Sequence, residues 1–169
     1  MCIRDRYTKS QLAEQTTPVV SSALTDKTST ASNVKFVDKD LDATELGGLV
    51  TWAPPGDVTH VTYYVVYLAT SSSGTGKWHV QSDVEVGTNE LAMLSDTALG
   101  SNTHLVVYTK SSLAEQTTPA ALTLSDVSSS VSNVAFVDKD LDSGQLYRLV
   151  TWMAPSDTYQ VTHLSLIHI

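Results

Sequence analysis

The feature that most constrains this chain is that it repeats itself at a domain-sized interval. Residues 7–18 read YTKSQLAEQTTP and residues 108–119 read YTKSSLAEQTTP, differing at one position. Residues 32–42 (SNVKFVDKDLD) and 132–142 (SNVAFVDKDLD) again differ at one, and LVTW stands at both 49–52 and 149–152. The first pair is offset by 101 positions and the others by 100, so one residue is gained or lost between Pro18 and Ser32. Solenoid repeats run about 20–45 residues, so a period this long marks whole domains. Blocks this similar that contain Trp, Phe, Asp and Lys exclude a chance likeness of Ser/Thr-rich sequence.

The phase of the repeat also divides the chain. Copy one continues past Thr62 as Tyr63-Tyr64-Val65-Val66-Tyr67, whereas copy two continues past Thr162 as His163-Leu164-Ser165-Leu166 and the match is gone. Residues 1–6 likewise share nothing with 102–107. The strings MCIRDR and LSLIHI resemble translated sequencing-adapter DNA, so 1–6 and 163–169 are set aside from the fold reading. The expected organisation is then the last strand of a preceding repeat at 7–24, a linker at 25–31, and a complete repeat at 32–124. A second linker at 125–131 and the first two strands of a following repeat at 132–162 complete it. Partial repeats cannot close a sandwich alone, so both flanks are expected to be poorly ordered or to borrow an edge of the intact domain.

Between 32 and 124 short apolar runs alternate with turn residues at the spacing of an antiparallel β-sandwich. Strands are expected at 34–37, 48–52, 60–69, 78–80, 90–93, 103–110 and 118–124. Pro54-Pro55-Gly56-Asp57 and residues 71–76 read as loops. Alternation places Leu46, Val50 and Trp52 on one face and Leu49 and Thr51 on the other, a half-buried strand. No amphipathic helix longer than a turn is evident. The fold class is therefore all-β.

Here the residues resemble a fibronectin type III domain, an immunoglobulin-like sandwich. LVTWAPPGDVTHVTYYVVYLA carries the order expected of that family: a second strand ending in Trp, a Pro-Pro turn, and a third strand rich in Tyr and Val. The resemblance spans 32–124. It departs at the family's sixth-strand tyrosine, whose position falls on His104, and at a loop glycine, replaced by Ala114. It implies protein–protein contact through loops in an extracellular or cell-surface, multidomain setting, although no RGD tripeptide is present.

Candidate chemistry is sparse. Asp38, Asp40 and Asp42 recur as Asp138, Asp140 and Asp142, and closely spaced carboxylates suit a hard cation such as Ca²⁺. The EF-hand pattern fails, because Ala43 and Leu49 (then Ser143 and Leu149) stand where Gly and Glu are required. Glu45 is a further ligand candidate in copy one, where copy two has Gln145. The competing reading is a solvated turn with its charge partly offset by Lys39. Gly74-Thr75-Gly76-Lys77 lacks the upstream Gly and the following Ser or Thr of a phosphate loop, and reads as a flexible hairpin loop. His60, His79 and His104 are scattered, and no nucleophile elbow occurs. Tyr63, Tyr64, Tyr67 and Trp78 either pack across strands or expose a ring that stacks on carbohydrate or anchors a protein.

Composition narrows the function classes. A net charge of −8, with ten Lys and Arg that form no patch, argues against nucleic acid as a partner. The single cysteine, Cys2, lies in the set-aside segment, so neither a disulfide framework nor a thiolate metal site is expected. No run approaches the roughly 20 apolar residues of a membrane span. The sequence reads as a non-catalytic structural or adhesion repeat with a protein partner. A Ca²⁺- or carbohydrate-binding module, and an accessory array of an enzyme, stand as alternatives.

Overall fold

The computed structural model describes residues 3–17 and 20–166. Its strands in chain order are β1 (Ile3–Arg6), β2 (Val20–Ala23), β3 (Ser32–Phe36), β4 (Glu45–Ala53), β5 (Tyr63–Ala69) and β6 (Trp78–His79). They continue as β7 (Val84–Glu85), β8 (Glu90–Ala98), β9 (His104–Lys110), β10 (Ala120–Thr123), β11 (Ser132–Ala135) and β12 (Thr151–Met153). No helix occurs among the described residues, and hence none long and apolar enough to cross a membrane. All strand pairs are antiparallel.

Two sheets form an antiparallel β-sandwich: β3-β4-β8, and β10-β9-β5-β6 with β7 also paired to β5. Strand β4 shows why. Leu46, Val50 and Trp52 point inward and are buried while Leu49 is exposed, as period-two alternation requires. They meet Tyr64, Val66 and Leu68 of β5 and Leu105 and Val107 of β9, with Met93 of β8 and Val34 of β3 closing the core. The Trp52 and Tyr64 rings pack edge to face with centroids 5.3 Å apart.

The half-buried pattern does not extend to β5 and β9. Val65, Ala69, Val106 and Tyr108, on their outer faces, are buried as well. The loop before β6 folds back over them, so that Tyr108 Oη donates to Ser73 O at 3.2 Å. Gly74 sits beneath that hydroxyl at φ +81°, where an added Cβ would lie 1.9 Å from it. Lys77 Nζ lies 4.4 Å from the Tyr67 ring centroid and 4.1 Å from that of Tyr108, and it also pairs with Glu115. Tyr67 Oη donates to the other Glu115 oxygen at 2.7 Å.

The flanking pieces pair with themselves. β1 pairs with β2 and β11 with β12, and neither pair joins a sheet of the sandwich. Neither therefore borrows an edge of the intact domain. Residues 3–6, set aside in the sequence reading, supply the partner of β2. The pair β11–β12 keeps the register of β3–β4: Ser132↔Met153 and Ala135↔Thr151 against Ser32↔Ala53 and Lys35↔Thr51. Asn33 and Asn133, inside the register shift of each pair, sit at φ 50° and 51°, a conformation Asn tolerates.

Candidate functional site: the acidic first turn

The turn between β3 and β4 is built by its own aspartates. Asp38 is 2% exposed; its Oδ1 accepts the N–H groups of Asp40 (3.1 Å) and Gly47 (3.0 Å). Its Oδ2 accepts the N–H of Val127 at 3.0 Å, 89 positions away. Asp40 Oδ1 in turn accepts from Asp42 N–H at 3.0 Å, and Oδ2 accepts from Asp96 N–H at 2.9 Å. Short aspartates that bond the backbone two residues on are a natural way to fold such a turn.

Asp96 is brought there by a bulge. Leu46 pairs with Thr97 but Gly48 with Met93, so a longer stretch of β8 spans a shorter stretch of β4. Asp96 sits within it at φ 61°, which turns its N–H toward Asp40. Gly47 and Gly48 leave room for the crossing, since a Cβ on Gly47 would lie 3.0 Å from Ser95 Cα.

The carboxylates of Asp40, Asp42, Glu45 and Asp96 consequently converge, with one oxygen from each within 4.8 Å of the others. Ligand oxygens lie about 2.3–2.6 Å from Ca²⁺, so two on opposite sides of one ion are separated by roughly that distance. The electrostatics fit a gathering of like charge. The Glu45 carboxyl is pushed above its ordinary range, first by loss of solvation and then by Asp96, Asp40 and Asp42. Asp40 is held below its range, chiefly by the Asp96 and Asp42 N–H groups. Asp38 stands apart from this cluster, because its oxygens are engaged by three backbone donors. Asp96 is the member that sequence reasoning missed.

The second copy reproduces the turn but not the cluster. Asp138 Oδ1 accepts from Asp140 N–H (3.0 Å) and Tyr147 N–H (3.2 Å), and Asp140 Oδ1 accepts from Asp142 N–H (2.7 Å). Asp138 and Asp142 are exposed, and among the described residues no strand equivalent to β8 crosses them.

Elsewhere the candidates separate. Tyr64 is core, Tyr67 belongs to the Lys77–Glu115 box, Tyr63 is exposed and Trp78 is 54% exposed. Trp78 stands on an edge strand, and the rings beside Tyr67 are those of His79, at 5.1 Å, and Tyr108, at 5.7 Å. His60 is exposed, His79 lies 3.5 Å from Asp83, and His104 meets the Thr103 hydroxyl, so the three do not share a site. At the pole opposite the acidic turn, an open cleft is lined by Lys27, His60, Ser111, Thr117 and Thr118. Lys27 there pairs with Asp57 at 2.9 Å and, with Thr59, holds the Asp57 carboxyl far below its ordinary range.

No family model, curated protein or solved structure matches this chain.

Proposed function

We propose that this chain is part of a tandem array of fibronectin type III-like repeats that acts as a non-catalytic spacer or adhesion element in a larger extracellular or cell-surface protein. What supports this most is the repeat itself. Near-identical turns and strand pairs recur at an offset of 100 residues and in the same register. A chain that spends its sequence on copies of one sandwich gains length and presentation of its poles. A protein partner is met through loops: at the β9–β10 hairpin tip Leu113 is 95% exposed, and the other copy of this hairpin carries Leu12 there, 98% exposed. Small-angle scattering on chains of one, two and three repeats tests the reading. The maximum dimension is expected to grow by on the order of 30 Å per repeat, the span of a nine-residue strand such as β4. Collapse into a compact particle overturns it.

A second reading is favoured by the convergence of Asp40, Asp42, Glu45 and Asp96: a Ca²⁺-binding module at the first turn. Bound ion would stabilise the fold by mass action, so the melting temperature is expected to rise across millimolar Ca²⁺ and to fall back with chelator. An unchanged melting curve removes this reading and leaves the spacer.

A further inference from the structure

We propose that the linker at 125–131 is a splint, locking each repeat to the next pole to pole so that the array is stiff; this deepens the spacer reading and rests on it. Three hydrogen bonds tie the linker to the first turn of the repeat it leaves. Val127 N–H donates to Asp38 Oδ2 (3.0 Å), Thr44 N–H to Asp126 Oδ2 (2.8 Å) and Ser129 N–H to Leu41 O (3.0 Å). On its other side Ser129 Oγ donates to Asp157 O, in the repeat it enters, at 2.6 Å. One residue thus bonds both neighbours, its amide one and its hydroxyl the other.

The preceding linker makes the second half of this pattern with the complete repeat. Ser29 Oγ donates to Asp57 O at 2.7 Å, the counterpart of Ser129 and Asp157. Thr109 Oγ1 then donates to Ser29 O at 2.5 Å. The Gln116 amide, with its nitrogen toward Ser29 O and Thr109 Oγ1 and its oxygen toward Thr30 Oγ1, closes the seat. The Asp26 of that linker recurs as Asp126, the residue that caps Thr44.

Asp38 is prepared for this task. Its turn is built by Oδ1 alone, as the same two bonds at Asp138 demonstrate, so Oδ2 is left to receive the linker amide. A flexible tether keeps its backbone freedom, which is costly to fix. A linker bonded on both sides of one residue has already given that freedom up.

Amide hydrogen exchange on the intact chain tests the splint. Val127 and Ser129 are expected to exchange at least about tenfold more slowly than Ser128 and Ser130. Exchange of all four at free-peptide rates overturns the proposal. Asp38→Asn is expected to abolish the protection of Val127 and to raise proteolysis within 125–131. Should that variant fail to fold, Val127→Pro removes the donor while leaving the Asp38 carboxylate and its turn in place. It is expected to release Ser129 and lower the linker's heteronuclear ¹⁵N NOE while the amides of Val106 and Val107 stay protected. Unchanged Ser129 protection and NOE in Val127→Pro overturn the splint. A flexible array would still lengthen with each repeat in scattering, so failure of the splint is distinguishable from failure of the spacer.

Discussion

The turn at 37–45 and the turn at 137–145 have nearly the same sequence and the same local hydrogen bonds, yet Asp38 and Asp40 are buried and their counterparts Asp138 and Asp140 are not. Asp38 and Asp138 each accept the amides two and nine positions on. In the first turn alone, Asp38 receives a linker amide, Asp40 receives an amide of the crossing β8, and four carboxylates converge around Asp40. Local chemistry thus shapes a turn, while its burial and electrostatics are decided by what the rest of the repeat lays over it. Equal substitutions in the two turns should therefore have unequal effects, and their difference measures the tertiary contribution.

The largest contrast is expected at the tryptophans. Trp52 is 5% exposed in the core and Trp152 is 44% exposed, so Trp52→Ala should lose about 3–5 kcal/mol of unfolding free energy. Trp152→Ala should stay within about 0.5 kcal/mol. Equal losses in denaturant titrations followed by circular dichroism would show that β11–β12 shares the sandwich core.

Next comes the buried aspartate. Asp38→Ala strands three backbone N–H groups, each costing about 1–3 kcal/mol when buried without a partner, so a loss of about 3 kcal/mol is expected. Asp138→Ala should be nearly silent. A comparable cost at both would mean that the turn's own bonds, rather than its cover, set the energy.

Smaller again is an exchange of residues between the copies. Gly48 sits at φ +144°, where a Cβ would lie 2.7 Å from Val37 O, and the second copy carries Arg148. Gly48→Arg is expected to cost about 1–3 kcal/mol through backbone strain, and Arg148→Gly almost nothing. If Gly48→Arg melts with the parent protein, the approach of Val37 O to β4 does not require glycine at 48.

The smallest effect is electrostatic, and its sign follows from the direction of the shift. Glu45 has its folded-state carboxyl raised above the ordinary 4.5, so the fold prefers it neutral and loses stability as the pH rises through that range. Glu45→Gln should therefore raise the melting temperature at pH 7, with the gain shrinking as the pH falls well below the ordinary 4.5, where both states become protonated. Asp40, shifted the other way, stabilises at neutral pH and loses that contribution on acidification. A gain from Glu45→Gln that persists in acid would rule out charge crowding as its source.

Much of the sandwich was legible because its signals are local. Alternation in β4 assigned Leu46, Val50 and Trp52 to the core, and the recurring DKDLD drew attention to the first turn. What escaped depends on distant parts. Asp96 reaches the cluster only through a bulge that no residue of β8 announces. The two-residue strand β7 is too short to alternate. The cover on the outer face of β5 and β9 comes from Lys77 and Glu115, which sequence marks only as charged.

The paired hairpins bear on where such an array tolerates insertions. β1–β2 and β9–β10 share a register, Arg6↔Val20 against Val107↔Ala120, with the first strands 101 residues apart and the second strands 100. The bridges Lys9↔Glu14 and Lys110↔Glu115 are likewise 101 apart. The one-residue difference between copies therefore falls between Pro18 and Val20, and the spacing from Ala23 to Ser32 equals that from Thr123 to Ser132. Loops can absorb a length change that a doubly bonded joint cannot. The joint acts as a ruler between modules whose loops are free to drift in length.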